Sequence, residues 1–159
     1  MTAEDDAPRP LVLGPDDGHV LQSGPTRITL KVTAQESNRF SLVDYHVAPG
    51  FAPPPALHFH EQEDWMAYVL EGELTFVFDG GETSAVAGSV IFIPRGTPFA
   101  WRNEREEPAR YLAVYAPAGF EQFFLDVGEG VAARGGASQE TMAAVIPPLW
   151  EKYRIRPAT

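Results

Sequence analysis

Two histidines separated by one residue, His58 and His60, are the side chains in this sequence best suited to carry chemistry. A strand through the run ALHFH would place both imidazoles on one face, because alternate residues of a strand point to the same side. Two neighbouring imidazoles can bind a divalent metal ion or transfer protons near neutral pH. Glu63 and Asp64 follow closely and offer a carboxylate.

The segments around the histidine pair have the alternation of polar and apolar residues that is typical of half-buried β-strands. In TRITLKVTA, Ile28, Leu30 and Val32 alternate with polar residues. Further strands are predicted at Phe40–Val47, Leu57–His60, Trp65–Leu70, Glu73–Phe78, Ser84–Val86, Ser89–Ile93, Phe99–Arg102 and Arg110–Ala116. Glycines and prolines spread along the chain supply the turns, so we expect an all-β sandwich or barrel.

Three regions are predicted along the chain: a flexible N-terminal arm over residues 1–18, a β-barrel over residues 19–118 and a helical extension over residues 119–159. Helices are expected at Gly119–Asp126 and at Gln139–Tyr153, with a flexible link at Gly128–Ser138 and a break or kink at Pro147-Pro148. His19 falls in an irregular segment without a predicted partner. Asp44 and His46 are expected to face solvent, opposite Tyr45.

Two longer segments resemble the conserved motifs of the cupin family. GFAPPPALHFHEQEDWMAYVLEG, from Gly50 to Gly72, is similar to the first motif, and GSVIFIPRGTPFAWRN, from Gly88 to Asn103, is similar to the second. The resemblance covers about residues 26–125. It implies a single-domain cupin of the quercetin 2,3-dioxygenase-like kind, an all-β jelly-roll barrel with short C-terminal helices.

The resemblance also implies that the metal site is degenerate. Cupins of this kind bind their metal through the HxH pair, a glutamate and a second-motif histidine. In this chain the glutamate position is Trp65 and the second histidine position is Phe99. Since neither side chain can ligate a metal ion, we favour no cofactor.

An alternative hypothesis keeps the metal. His58 and His60 with Asp64, or with Glu63, would form a two-histidine, one-carboxylate site for iron, nickel, manganese or zinc. Strand alternation argues against Asp64, because it would face outward if its neighbour Trp65 faces inward.

The aromatic residues at these positions predict a binding pocket for a flat, hydrophobic, aromatic or polyketide-like molecule. We expect Tyr45, Trp65, Phe99, Trp101 and Asn103 to line it, with His58 and His60 as acid and base of a cofactor-free cyclase or isomerase. Three alternatives stay open: a metal-dependent quercetinase-like dioxygenase, a non-catalytic binding protein, and aromatic side chains that only pack the core.

Charge and composition limit the partners. The net charge is −10, and no cluster of lysine or arginine stands against it, which disfavours nucleic acid and anionic membranes. The sequence has no signal-like N-terminus and no apolar run of membrane-spanning length, so we predict a cytoplasmic protein. It has no cysteine, which excludes a disulfide framework, a thiolate nucleophile and a zinc–thiolate site. Unpaired sheet edges favour a homodimer.

Overall fold

The computed structural model describes residues 9–53 and 57–158. In chain order the elements are β1 (His19–Ser23), β2 (Thr26–Val32), β3 (Ser41–Val47), β4 (His58–His60), β5 (Asp64–Glu71), β6 (Glu73–Phe78), β7 (Gly81–Val86), β8 (Val90–Ile93), β9 (Phe99–Arg102), β10 (Ala109–Ala116), α1 (Glu121–Ala133), α2 (Gln139–Tyr153) and β11 (Ile155–Pro157). The predicted all-β jelly roll with C-terminal helices is confirmed.

The strands form two antiparallel sheets. The six-stranded sheet has the order β1-β2-β3-β10-β5-β8, and the five-stranded sheet has the order β11-β4-β9-β6-β7. Residues that alternate along each strand meet in one core: Val43 and Val69 of the larger sheet and Leu74 of the smaller sheet are fully buried. The predicted period of two therefore decides which side chains face the interior.

Part of the N-terminal segment is attached to the barrel. Residues 1–8 of the predicted flexible arm lie outside the described part, and residues 9–18 contain no helix or strand. The ammonium group of Lys31 on β2 donates hydrogen bonds to the backbone carbonyls of Gly14 and Pro15, at 3.2 and 2.9 Å, and to that of Asp17. The division of the chain at residues 18 and 118 remains a prediction.

Two strands were not predicted. His19 is not in an irregular segment, because His19–Ser23 forms β1 and pairs with β2 across a turn at Gly24 and Pro25, where Gly24 has a φ of 56°. The strand β11 pairs with β4. Both strands are short and lack clear alternation, so the sequence pattern does not predict them. They are recognised only from their pairing, β1 with the next strand across a tight turn and β11 with a strand far away in the sequence.

The first helix is longer than predicted. α1 continues to Ala133, through Gly128 and Gly130, which the composition assigned to a flexible link. A Cβ atom at Gly130 would lie 2.8 Å from Cγ1 of Val145, so the missing side chain is what lets α1 approach α2. α2 has the predicted bounds, and Ser138 caps its N-terminus with a hydroxyl that accepts a hydrogen bond from the Thr141 amide.

The proline pair does not end the second helix. Pro147 and Pro148 lie inside α2, which runs on to Tyr153. Arg154 then adopts a left-handed conformation with a φ of 54°, and the chain turns back into β11. None of the helices in the described part of the chain is long and apolar enough to cross a membrane.

The expectation that Asp44 faces solvent is wrong. Asp44 lies on the outer side of β3, yet it is only 2% exposed because Arg110 of β10 covers it. Nε and Nη2 of Arg110 donate to the two carboxylate oxygens at 3.1 and 2.9 Å. His46 Nε2 lies 3.2 Å from Nη2 of Arg27 and 3.6 Å from Asp44 Oδ1.

Substituting Arg110 by methionine should lower the free energy of unfolding by about 3 kcal/mol, because it leaves the buried Asp44 carboxylate without its counter-charge. Urea denaturation followed by circular dichroism measures the change. The matched control is Arg105→Met, which removes an exposed pair with Glu73 and should cost less than about 1 kcal/mol. Equal losses in the two variants would contradict this account.

Candidate functional site

A cavity of about 730 Å³ lies between the sheets and the two helices. Its floor consists of aromatic side chains from the inner faces of both sheets: Tyr45, Trp65, Phe99, Trp101 and Tyr115. Helix α1 contributes Phe123, Phe124, Val127 and Val131, the residue before it contributes Phe120, and helix α2 contributes Met142, Ile146 and Trp150. Strand β1 adds Val20, Leu21 and Gln22. The lining is therefore mostly apolar, with few polar groups, as in small-molecule sites.

The two histidines line this cavity from β4, as predicted. His58 is opposite Phe99 of β9, while β11 pairs with the other edge of β4 and places Ile155 opposite His60. His58 is 9% exposed and His60 5% exposed, and the centroids of their rings are 5.4 Å apart. The C-terminal strand thus holds the histidine pair in place, although it lies nearly a hundred residues away in the sequence.

Glu63 forms the most informative polar contact of the site. Its Oε2 lies 3.3 Å from Nδ1 of His60, and both side chains are buried. A carboxylate acceptor favours the tautomer that carries its proton on Nδ1, which leaves Nε2 of His60 as the nitrogen that accepts a proton. This carboxylate and imidazole have the arrangement found in general-base pairs.

Aromatic rings occupy the space that the missing metal ligands would need. Trp65 and Phe99 are each 2% exposed, and their ring centroids are 5.2 Å apart. Phe99 lies against both imidazoles, with ring centroids 4.7 Å from His58 and 6.0 Å from His60. Two histidines with an aromatic ring beside them do not fit a divalent metal ion, which usually takes at least three protein ligands in a catalytic site.

Asp64 does not complete a metal site. Nε and Nη2 of Arg95 donate to its two oxygens at 3.1 and 3.3 Å, and this contact lowers the pKa of the Asp64 carboxyl. The carboxylate lies on the side of β5 opposite Trp65, in agreement with strand alternation. Within the described residues, no cluster of three or more histidines and carboxylates is arranged to hold a metal ion.

A pair of tyrosines forms a second polar spot in the cavity floor. The hydroxyls of Tyr45 and Tyr115 are 2.8 Å apart, and Tyr45 also stacks on Tyr111 with ring centroids 4.6 Å apart. Burial raises the pKa of Tyr115 to about 12 and that of Tyr45 well above its ordinary value. Both hydroxyls therefore stay protonated, and the one that accepts from its partner keeps a hydrogen to donate.

Asn103 does not belong to the cavity lining, contrary to prediction. It is 1% exposed and lies in the loop after β9. Its Nδ2 donates to the carbonyls of Ala48 and Glu107 at 3.3 and 2.9 Å, and its Oδ1 accepts from the amide of Arg105 at 2.9 Å. These bonds fix the loop that leads to β10, so the residue has a structural role.

Sequence reasoning also missed several residues of the site. Tyr115 has the same parity in β10 as the buried Tyr111, which would have placed it inside. Phe120, Phe123 and Phe124 have the three- and four-residue spacing of one helix face, a signal of a helix that covers an apolar surface. Together they form the roof over the histidines, since the Phe120 ring centroid is 4.7 Å from that of His60.

The two antiparallel sheets and the cavity between them have the architecture of a cupin jelly roll. A family model described as "Cupin domain" matches residues 43–115. The chain is similar to quercetin 2,3-dioxygenase of Bacillus subtilis, at 31% identity over 72 residues, which is 45% of this chain and 21% of that protein. It is also 36% identical over 70 residues to the endoribonuclease YbeY of Myxococcus xanthus, covering 44% of this chain and 23% of that protein. The chain thus spans less than a quarter of the length of these curated relatives.

Solved structures include similar folds. The polyketide cyclase RemF from Streptomyces resistomycificus matches with a TM-score of 0.59 and 26% identity, over 68% of this chain and 80% of that chain. KdgF from Halomonas sp. matches with a TM-score of 0.57 and 15% identity, over 65% of this chain and 90% of that chain. The second likeness shows the fold alone.

The buried tyrosine should make the fold sensitive to high pH. The pKa of Tyr115 rises from its ordinary value of 10.0 to about 12 in the folded chain, so above pH 10 the unfolded chain loses a proton that the folded chain retains. The contribution of Tyr115 to the free energy of unfolding, about 3 kcal/mol, should therefore be lost between pH 10 and pH 12. Urea denaturation at several pH values measures this loss. A Tyr115→Phe variant should have a shallower dependence, and an unchanged dependence would contradict the assignment.

Proposed function

We propose that this protein binds a flat, hydrophobic, polyketide-like aromatic molecule in the cavity and cyclises or isomerises it by proton transfer, without a metal ion. The observation that carries the proposal is the buried Glu63–His60 pair at the wall of an aromatic-lined cavity. The likeness to the polyketide cyclase RemF supports the same class of substrate. Such chemistry belongs to secondary or aromatic metabolism.

The cavity suits a planar ligand for physical reasons. Aromatic side chains from the sheets and from α1 form opposite walls, and ring faces bind flat apolar molecules by stacking and by excluding water. A volume of about 730 Å³ lies within the range of small-molecule sites. Apart from the tryptophan N–H groups, the polar side chains of the lining are those of Gln22, Tyr45, His58, His60, Tyr115, Ser138 and Gln139. A ligand would therefore be oriented by its few oxygen atoms.

The proposed reaction begins at His60. Its Nε2 takes a proton from a carbon atom next to a carbonyl group, and the electrons of the broken C–H bond form an enolate. Glu63 stabilises the imidazolium, while a hydroxyl of the Tyr45–Tyr115 pair donates a hydrogen bond to the enolate oxygen. In a cyclisation, the enolate carbon then bonds to a second carbonyl carbon, whose oxygen recovers the proton from His60. The product is an isomer of the substrate.

Ligand binding can be detected with the protein's own fluorescence. All three tryptophans of the chain, Trp65, Trp101 and Trp150, line the cavity. Titration with a planar flavonoid or anthraquinone should quench most of the tryptophan emission, while a linear fatty acid of similar size should not. Met142→Trp on α2 fills part of the cavity and should weaken binding at least tenfold in calorimetry. Val86→Trp, at an exposed position of β7, is the control and should bind like the unchanged protein.

The catalytic roles are tested by substitutions at the histidine and at two neighbouring carboxylates. With a poly-β-ketone substrate, His60→Gln should lower kcat by about 10²- to 10⁴-fold, since it removes the general base. Glu63→Gln should lower kcat by about tenfold or more, because the imidazolium loses its counter-charge. Asp64→Asn, at the adjacent carboxylate held by Arg95, should leave kcat unchanged.

Three results would overturn the proposal. Binding of aromatic ligands without turnover of any of them would make the chain a binding protein. Activity that requires dioxygen and disappears when a stoichiometric metal ion is removed would make it a quercetinase-like dioxygenase. Normal activity in His60→Gln would remove the histidine from the mechanism, and metal analysis of the purified protein distinguishes the second case from the third.

A further inference from the structure

The hydroxyl of Tyr111 is buried and has no hydrogen-bond partner among the residues that the structure describes. The side chain is 0% exposed, so a molecule in the cavity cannot reach this hydroxyl directly. Buried tyrosines usually find a partner, because an unpaired hydroxyl loses its hydrogen bonds to water without replacement. An unpaired hydroxyl at this depth therefore requires a physical explanation.

The neighbour of this hydroxyl is Tyr45, a residue of the cavity floor. Tyr111 and Tyr45 are directly opposite each other in the ladder between β10 and β3, and their rings are stacked with only 6° between the ring planes. Both side chains start from the same face of the sheet, so they project into the interior side by side. Burial is the main cause of the raised pKa of Tyr45, and Tyr115 and Tyr111 add to it. The hydroxyls of the three tyrosines are therefore gathered at one place.

The contacts of Tyr115 indicate how the hydroxyl hydrogens are arranged. Burial raises the pKa of Tyr115 to about 12, while hydrogen bonds from its neighbours, among them the Trp65 indole, act in the opposite direction. An indole N–H can only donate, so the oxygen of Tyr115 accepts from Trp65. The hydrogen of Tyr115 is then free to follow its 2.8 Å contact with the hydroxyl of Tyr45. Tyr45 accepts this hydrogen and keeps its own hydrogen to donate.

We propose that Tyr45, Tyr111 and Tyr115 form one oxygen-binding subsite in the cavity floor, in which Tyr45 donates its hydrogen to a carbonyl or enolate oxygen of the ligand. This inference rests on the proposed function, because it names the chemical group that the cavity recognises. Tyr45 is the residue that touches the ligand. Tyr115 and Tyr111 are positioning residues that donate to the two lone pairs of the Tyr45 oxygen. A small movement of the stacked rings gives the Tyr111 hydroxyl the partner that it lacks.

This arrangement selects for one kind of ligand oxygen. With both lone pairs of its oxygen engaged, Tyr45 can only donate, so it matches an oxygen that only accepts. Ketone, quinone and enolate oxygens meet this requirement, whereas an alcohol brings a hydrogen for which the subsite offers no acceptor. Donation to a charged enolate oxygen is stronger than donation to a neutral carbonyl, and hydroxyls in a chain polarise one another. The subsite therefore binds the enolate more strongly than the ketone from which it forms.

Two planar probes of nearly equal shape test the subsite with the full chain. 9-Fluorenone has a carbonyl group where fluorene has a methylene group. Both should quench the tryptophan emission, but calorimetry should show that fluorenone binds about tenfold more tightly, as one good hydrogen bond allows. Tyr45→Phe should abolish this difference, and Tyr111→Phe should reduce it by about half or more. Tyr68→Phe, at a 46% exposed tyrosine on the outer side of β5, is the matched control and should preserve it.

Infrared spectroscopy reports on the donor itself and separates positioning from a structural role. The difference between spectra of ¹²C- and ¹³C-carbonyl fluorenone isolates the carbonyl stretch of the bound probe. This stretch should lie at lower frequency in the unchanged protein than in Tyr45→Phe, with Tyr111→Phe and Tyr115→Phe between the two. Tyr111→Phe removes an unpaired buried hydroxyl, so urea denaturation should show no loss of stability. A weaker carbonyl shift in this variant would then come from the subsite and not from unfolding.

Each contrary result overturns a defined part of the account. Quenching by both probes with equal affinities would overturn the subsite and leave the cavity as a ligand site. A carbonyl frequency that is the same in Tyr45→Phe and in the unchanged protein would remove Tyr45 as the donor. The same result in Tyr111→Phe would remove the positioning role of Tyr111. Failure of both probes to bind would overturn the proposed ligand-binding function, and the subsite with it.

Discussion

The buried contact between His60 and Glu63 is the interaction on which the site depends. A carboxylate that is 6% exposed loses most of its hydration, and only a nearby donor offsets that cost. His60 is that donor, and it is held by β11 on one side of β4 and by the Phe120 ring above it. The same contact favours the His60 tautomer that carries its proton on Nδ1. The buried Glu63 carboxylate therefore determines that Nε2 is the nitrogen of His60 that can accept a proton.

The aromatic residues at the two former ligand positions change what the cupin cavity can do. Phe99 contacts both imidazoles, and Trp65 fills the carboxylate position beside it. A metal ion would have to compete with these rings for the same space. The rings also make the interior apolar, which strengthens the few polar contacts that remain, because the local dielectric constant is low. Burial in this interior raises the pKa of Tyr45 and of Tyr115, so both hydroxyls stay protonated.

The strand β5 contributes one face to the cavity floor and the other to the outer surface of its sheet. Its odd-numbered residues, Trp65 to Val69, face the core, and its even-numbered residues, Met66 and Tyr68, face outward. The helices close the cavity on the opposite side, and they do so because Gly130 lets α1 approach Val145 of α2.

Strand alternation is a local property, so the sequence alone determined the shared face of His58 and His60, the inward Trp65 and Phe99, and the outward Asp64. Only the tertiary structure decided the rest. β11 pairs with β4 across nearly a hundred residues, and Tyr45 meets Tyr115 across seventy. Such contacts depend on which strands become neighbours, and neither a three-residue strand nor the open cavity leaves a periodic signal in the chain. For the same reason Asn103, the last residue of the second motif segment, bonds to backbone groups of loops and does not line the cavity.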